Sequence, residues 1–240
     1  EDIKRGLRKG VIDLKLLPVL CVSSLKNIDV QPLMDAILDY LPSPLEVKYF
    51  EGFDPENESK KIRRDPKDDE PFSALAFKIL TDPFVGRLTF IRIYSGTIKI
   101  GETVLNASVG KREKINKILK MYSNKRQEIP TAVFGDIFAI PGLRFTRTGD
   151  TLSDQKNPIM YEKIQFAEPV INQKIEAKTL PDRDKLLGVL EKLVEEDPSL
   201  RFSTDNESGE LILSGVGELH LEIIADRLNR EFKLPVKVGR

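Results

Sequence analysis

Three textures of hydrophobic and polar positions follow one another along the chain. In residues 1–45 helical and extended patterns alternate. "IKRGLRKGVI" reads as a short basic helix and "LPVLCVS" as a buried strand. "VQPLMDAILDYL" predicts a helix, with Leu33, Ile37, Leu38 and Leu41 at helical spacing. Pro32 fits the first turn of that helix, where a missing N–H has no intrahelical partner to lose. Residues 46–71 then carry Pro55, Pro66 and Pro71 amid dense charge. They sustain neither the strand period nor the helix period, and read as a linker or long loop.

From Phe72 the grain changes to short strands. "FSALAFKIL", "GRLTFIRIYSG", "ETVLNAS", "REKINKILKMY", "VFGDIFAI" and "TGDTLSD" follow one another, separated by Gly, Pro, Asn and Asp, with no helix between them. That spacing predicts a closed β-barrel or a sandwich over residues 72–167. The third texture begins near Pro169. "VINQKIEAK" alternates as a strand, and "DRDKLLGVLEKLVEEDP" places Leu186, Leu187, Leu190, Leu193 and Val194 on one helical stripe. "LRFSTD" and "GELILSG" form a hairpin around "NESG". "GELHLEIIADRLNREF" is a second helix, with Leu221, Ile224, Ala225, Leu228 and Phe232 on its inner stripe, and "LPVKVG" closes as a strand. The order βαββαβ over residues 168–240 is the ferredoxin-like, split-βαβ pattern.

Composition narrows the function classes. The 240 residues carry 38 Lys and Arg against 38 Asp and Glu. With no net charge, nucleic acid is drawn only by a local patch. Cys21 is the single cysteine, which excludes an internal disulfide framework and fits a reducing compartment. No apolar run approaches the ~18 residues of a membrane-spanning helix. The chain starts at Glu1, without Met or an apolar signal core, as expected for a piece of a longer protein.

His220, the only histidine, sits in "SGVGELHLEI" between Glu218 and Glu222. Helix residues two apart point away from each other, so neither carboxylate converges on the imidazole. The positions at helical spacing from it, Val216, Gly217, Ile223 and Ile224, supply no metal ligand. Leu219 and Ile223 form an apolar pair on the face opposite the core stripe, which predicts that this face meets another surface. A local basic patch lies in "GKREKINKILKMYSNKR", where Lys111, Arg112, Lys114, Lys117, Lys120, Lys125 and Arg126 face one acid, Glu113. Such a patch suits nucleic-acid phosphates, or else a solvated strand face with lysines guarding an edge. No stack of exposed aromatics is evident beside it, which argues against sequence-specific reading of single strands.

These strings carry a family resemblance. "SGVGELHLEIIADRLNREF" resembles the third-domain helix of bacterial elongation factor G. "DPFVGRLTFIRIYSGTIKIGETVLN", "TGDTL" and "EEDPSL" are similar to its second and third domains, and "PVLCVSSLKNIDVQPLMDAILDYLPSPLEV" to the end of its GTPase domain. The resemblance covers nearly the whole chain in the family's order. It implies a GTPase-domain remnant (1–45), a linker (46–71), a six-stranded β-barrel as domain II (72–167) and a ferredoxin-like domain III (168–240).

By the same resemblance Ser23, Ser24 and Leu25 stand where the family reads the guanine base. The barrel patch would contact ribosomal RNA, and Leu219, His220 and Ile223 would form an interdomain contact. The chain has no phosphate loop and no Asn-Lys-x-Asp, so it is expected to bind no cofactor itself and to hydrolyse nothing. GTP and magnesium would belong to the parent protein, a ribosomal translocase of the bacterial cytoplasm. Expected partners are ribosomal RNA and proteins and the parent's remaining domains, with no membrane and a monomeric fragment. "SSLKNIDV", Tyr122 and Val216 depart from the family's common form. A ribosome-recycling paralogue or sister ribosome-associated GTPase therefore stays open, as does a non-GTPase RNA- or protein-binding module.

Overall fold

A computed structural model describes residues 1–82, 85–123, 125–206 and 208–239, the side chains of Leu180 and Pro181 excepted. By contact density the chain divides into Glu1–Phe50 and Glu51–Arg240.

In the first unit α1 (Asp2–Ile12) lies against α2 (Val30–Tyr40). Arg8 donates to the Leu38 and Asp39 carbonyls at 3.2 and 2.9 Å, satisfying groups that the end of α2 leaves open. Its other nitrogen pairs with Glu46 at 2.6 Å. The buried strand expected at "LPVLCVS" does not form, and Val19 there is 86% exposed. A buried parallel strand needs neighbours along its edges and layers on both faces. This unit offers two helices, and among its described residues only Val11 and Ala36 are buried apolar side chains.

The 46–71 stretch is not the structureless linker that its charge density predicts. β1 (Phe50–Asp54) and β2 (Asn57–Arg64) pair as a two-stranded ribbon. Glu51 pairs with Lys61 at 2.7 Å and Arg63 at 3.2 Å, and Asp54 with Lys60 at 2.8 Å. Exposed pairs of this kind contribute little. The firmer anchor is Phe53, which exchanges backbone hydrogen bonds with Met160 at 2.7 and 2.8 Å. Both faces of β2 are charged, so no alternation betrays the strand.

The barrel follows: β3 (Ser73–Asp82), β4 (Gly86–Ser95), β5 (Thr97–Lys99), β6 (Thr103–Asn106), β7 (Lys111–Lys114), β8 (Leu119–Tyr122), β9 (Lys125–Glu128), β10 (Thr131–Val133), β11 (Ile137–Pro141) and β12 (Thr151–Ser153). Eight of these form one sheet in the order β7-β6-β12-β3-β4-β11-β8-β9, and β5 pairs with β10. One core draws Ala74, Ile91, Ile98, Val104, Phe138 and Leu152 from six of these strands. The strands thus wrap a shared interior, as a barrel requires, and a smaller cluster of Leu88, Leu119 and Ala139 forms apart from it. The strand count exceeds the six expected. "REKINKILKMY", expected as one strand, breaks into β7 and β8, because Ile115 and Ile118 both point inward. A spacing of three cannot be met by uninterrupted alternation.

Tyr161 is buried against β3 and β4. The Ser95 hydroxyl donates to the Pro71 carbonyl at 2.7 Å, so it accepts from Ser73, which in turn accepts from the Tyr161 phenol, each at 2.6 Å. Burial disfavours the charged phenolate and pushes the phenol pKa up from 10.0 to about 12. Stability from keeping this phenol protonated is therefore complete below pH 10 and lost as the pH climbs through 12. Tyr161→Phe should cost about 1 kcal/mol at pH 8, the net worth of one hydrogen bond. Between pH 10 and 12 the tyrosine protein should lose about 2–3 kcal/mol relative to the variant. Chemical denaturation across that range tests this; a constant gap would show that the phenol titrates as a free one.

The last segment runs β13 (Ile171–Ala177), α3 (Leu180–Glu196), β14 (Arg201–Thr204), β15 (Leu211–Gly215), α4 (Glu218–Arg230) and β16 (Val236–Gly239), matching the expected order. Its antiparallel sheet runs β14-β15-β13-β16. Leu186, Leu190 and Leu193 of α3 meet Leu221, Ile224 and Leu228 of α4 and Ile175 and Leu213 of the sheet in one core. Each such side chain contributes about 1.5–3 kcal/mol on burial.

Candidate functional site

Three groups of residues were expected to act, and the fold treats each differently. In the first unit Ser23 and Ile28 exchange backbone hydrogen bonds at 3.1 and 3.0 Å, closing a tight turn just ahead of α2. Asn27 and Asp29 take left-handed backbone conformations to complete it. Ser24 is exposed and Leu25, at the tip, is 96% exposed. The turn thus offers backbone and hydroxyl groups to a ligand with little bulk in the way.

Six of the seven basic residues divide between two hairpins, and Lys117 lies between them. Lys111, Arg112 and Lys114 lie on β7, paired to β6. Lys120 lies on β8, and Lys125 and Arg126 on β9, with Tyr122 opposite Lys125 and Lys120 opposite Gln127. Two of the seven are committed nearby: Arg126 to Asp82 at 2.9 Å and Lys117 to Glu128 at 3.4 Å. The lone acid of the run does not neutralise the surface. Glu113 is buried and accepts the N–H groups of Arg144 and Phe145 at 2.5 and 2.9 Å, together with the Thr146 hydroxyl. Its charge is spent on a neighbouring loop, leaving Lys111, Arg112 and Lys114 facing solvent.

The third group splits. Leu219 and Ile223 are 69% and 50% exposed while Leu221, Ile224 and Leu228 are buried, so the helix phase follows the periodicity. His220 turns inward. Its Nδ1 accepts the Val216 N–H at 3.3 Å, which puts the proton on Nε2, and Nε2–H donates to Asp197 at 2.9 Å. Gly215 makes room for this: a Cβ there would lie 2.9 Å from Nδ1 and 2.7 Å from Leu221. The imidazole expected to share an outward contact is consumed inside its own domain. Burial works against the Asp197 charge, yet the Ser199 hydroxyl and N–H and the His220 imidazole outweigh it, holding the carboxyl below the usual aspartate value.

A junction that no motif announced joins barrel and last domain. Glu196, at the end of α3, accepts the Thr81 N–H of β3 at 2.7 Å through one oxygen. Through the other it accepts from Arg227 of α4 at 2.9 Å. Burial opposes the Arg227 charge, but Glu196 and then Glu231 more than offset it and raise its pKa. Beside it Arg87 of β4 lies 3.4 Å from Glu195. The same guanidinium donates to the Arg144 and Thr146 carbonyls at 3.2 and 2.5 Å. One buried carboxylate and two part-buried arginines leave no periodic trace in the sequence.

The barrel and the split-βαβ domain, joined by these side chains, each match a known domain. Residues 71–155 match the family model for elongation factor G domain 2, and residues 166–240 that for elongation factor G domain III. Together these take in two thirds of the chain. The chain belongs to the elongation factor G family and carries its domains II and III. A crystal structure of a Thermus thermophilus protein is similar over 99% of this chain, at 27% identity with a TM-score of 0.72. The chain spans 33% of that protein's length. Among the described residues no helix is long and apolar enough to cross a membrane.

Proposed function

We propose that this chain is the middle portion of a cytoplasmic, ribosome-dependent GTPase that promotes translocation during protein synthesis. Residues 1–45 would close its GTPase domain, and residues 72–167 and 168–240 would be domains II and III. The observation that carries this is the succession of the two domain matches, in order, within one contact unit. GTP and magnesium would be bound by the parent. The Ser23–Ile28 turn would suit a guanine edge, since Ser24 and Leu25 stand open to solvent. No phosphate loop is present, so the phosphates and the metal fall to residues outside this chain. The basic patch would face ribosomal RNA, with Lys111, Arg112, Lys114, Lys120 and Lys125 contributing more than the internally paired Lys117 and Arg126.

The parent should move messenger RNA by one codon on a pre-translocation ribosome. Ribosome splitting without movement would assign it to recycling instead. Leu219 and Ile223 are proposed to meet another domain of the parent. Leu219→Asp should therefore lower ribosome-stimulated GTP turnover at least several-fold, while shifting this chain's own stability by less than about 0.5 kcal/mol. Intact turnover would show that the face is idle.

A further inference from the structure

The loop at Gly142–Thr146 borders a shallow hollow of about 250 Å³ that Arg112, Lys114, Asn116, Arg144 and Phe145 also line. The loop is held rigidly from two sides. From below, Glu113 accepts two backbone N–H groups and the Thr146 hydroxyl, and that hydroxyl accepts in turn from Asn106 at 3.2 Å. Asn106 reaches Asp150 at 2.9 Å with the same amide nitrogen. From the barrel side, Arg87 grips the loop's carbonyls. The Glu113 carboxylate and the Thr146 hydroxyl of this support are spent internally, and what the loop presents outward is different in kind. Arg144 is exposed, and Phe145 is 49% exposed beside three cations.

We propose that this loop is a site for unpaired RNA, with Arg112, Lys114 and Arg144 gripping phosphate and Phe145 stacking against a splayed base. The inference rests on the reading of the basic patch as an RNA-facing surface and adds a class of RNA to it. Guanidinium forks match phosphate oxygens, and an aromatic face takes any base. Duplex RNA offers phosphates but keeps its bases stacked, leaving the ring idle. A pre-rigidified loop loses little entropy on binding.

The test is a fluorescence titration of this 240-residue chain at low salt with two RNAs. One is a hairpin carrying 2-aminopurine in its unpaired loop; the other is a fully paired duplex of equal length. The native chain should prefer the hairpin and quench its 2-aminopurine. Phe145→Ala should bind the hairpin about ten-fold more weakly, lose the preference, and keep its salt dependence; Phe145→Trp should restore both. Arg112→Ala and Arg144→Ala should weaken both RNAs and reduce the salt slope by about one contact each. If the native chain binds but Phe145→Ala retains hairpin affinity and preference, the stacking site is wrong while the RNA-facing reading stands. If the native chain binds neither RNA, the underlying reading itself fails.

Discussion

Gly96→Ala should destabilise the barrel by about 3–4 kcal/mol, against about 1 kcal/mol for Gly101→Ala. Both glycines have left-handed backbones, with φ of 75° and 93°, so both variants bear the same conformational penalty. They differ in what a Cβ would meet. At Gly101 nothing lies within 4 Å, whereas at Gly96 the new carbon would sit 2.4 Å from the Glu70 carbonyl oxygen and 2.7 Å from the Phe72 nitrogen. Those are backbone atoms, and Gly96 itself donates to the Lys67 carbonyl at 2.8 Å, so the crossing segment has nowhere to go. Urea denaturation of the two variants measures the difference. Equal losses would mean that the 67–72 segment gives way freely.

Glu196→Ala is the second large effect. The Glu196 side chain is only 8% exposed, and its removal orphans the Thr81 N–H and strips Arg227 of its shorter ion pair. Removing one partner of a buried pair costs about 3–5 kcal/mol, and the partial exposure of Arg227 lowers the expectation to about 2–4 kcal/mol. Glu195→Ala next to it, a half-exposed partner at 3.4 Å, should cost under about 1 kcal/mol. Hydrogen exchange supplies the localisation: Glu196→Ala should release amides near Thr81 and along α4 together. Protection lost on α4 alone would show that the carboxylate serves one domain and does not join two.

What was legible in the sequence was what repeats. The stripe Leu186, Leu190, Leu193 and the stripe Leu221, Ile224, Leu228 announce both helices and their inner faces, and the alternation in "FSALAFKIL" announces a barrel strand. What was illegible had no period. β2 has charge on both faces, and the strand expected at "LPVLCVS" has a strand's composition but no sheet to join. The site divided along the same line. The cations on β7–β9 were visible as a run, but the fate of Glu113 is a three-dimensional fact. So is the inward turn of His220, since which way a ring points at a helix entrance depends on Asp197, more than twenty positions away. The exposed rings of Tyr122 and Phe145 likewise became evident only once the fold placed them outside.

The end of α3 runs Glu195, Glu196, Asp197, with no basic residue in its last turn. Three carboxylates gather where the helix dipole is already negative, each unfavourable by about 0.3–1 kcal/mol when left uncompensated. The compensation comes from elsewhere: Thr81 and Arg87 of the barrel, Arg227 and His220 of α4. The helix is thus electrostatically incomplete within its own sequence segment. The stretch that the family model takes in, residues 166–240, is smaller than the contact unit Glu51–Arg240 that supplies the helix's missing partners.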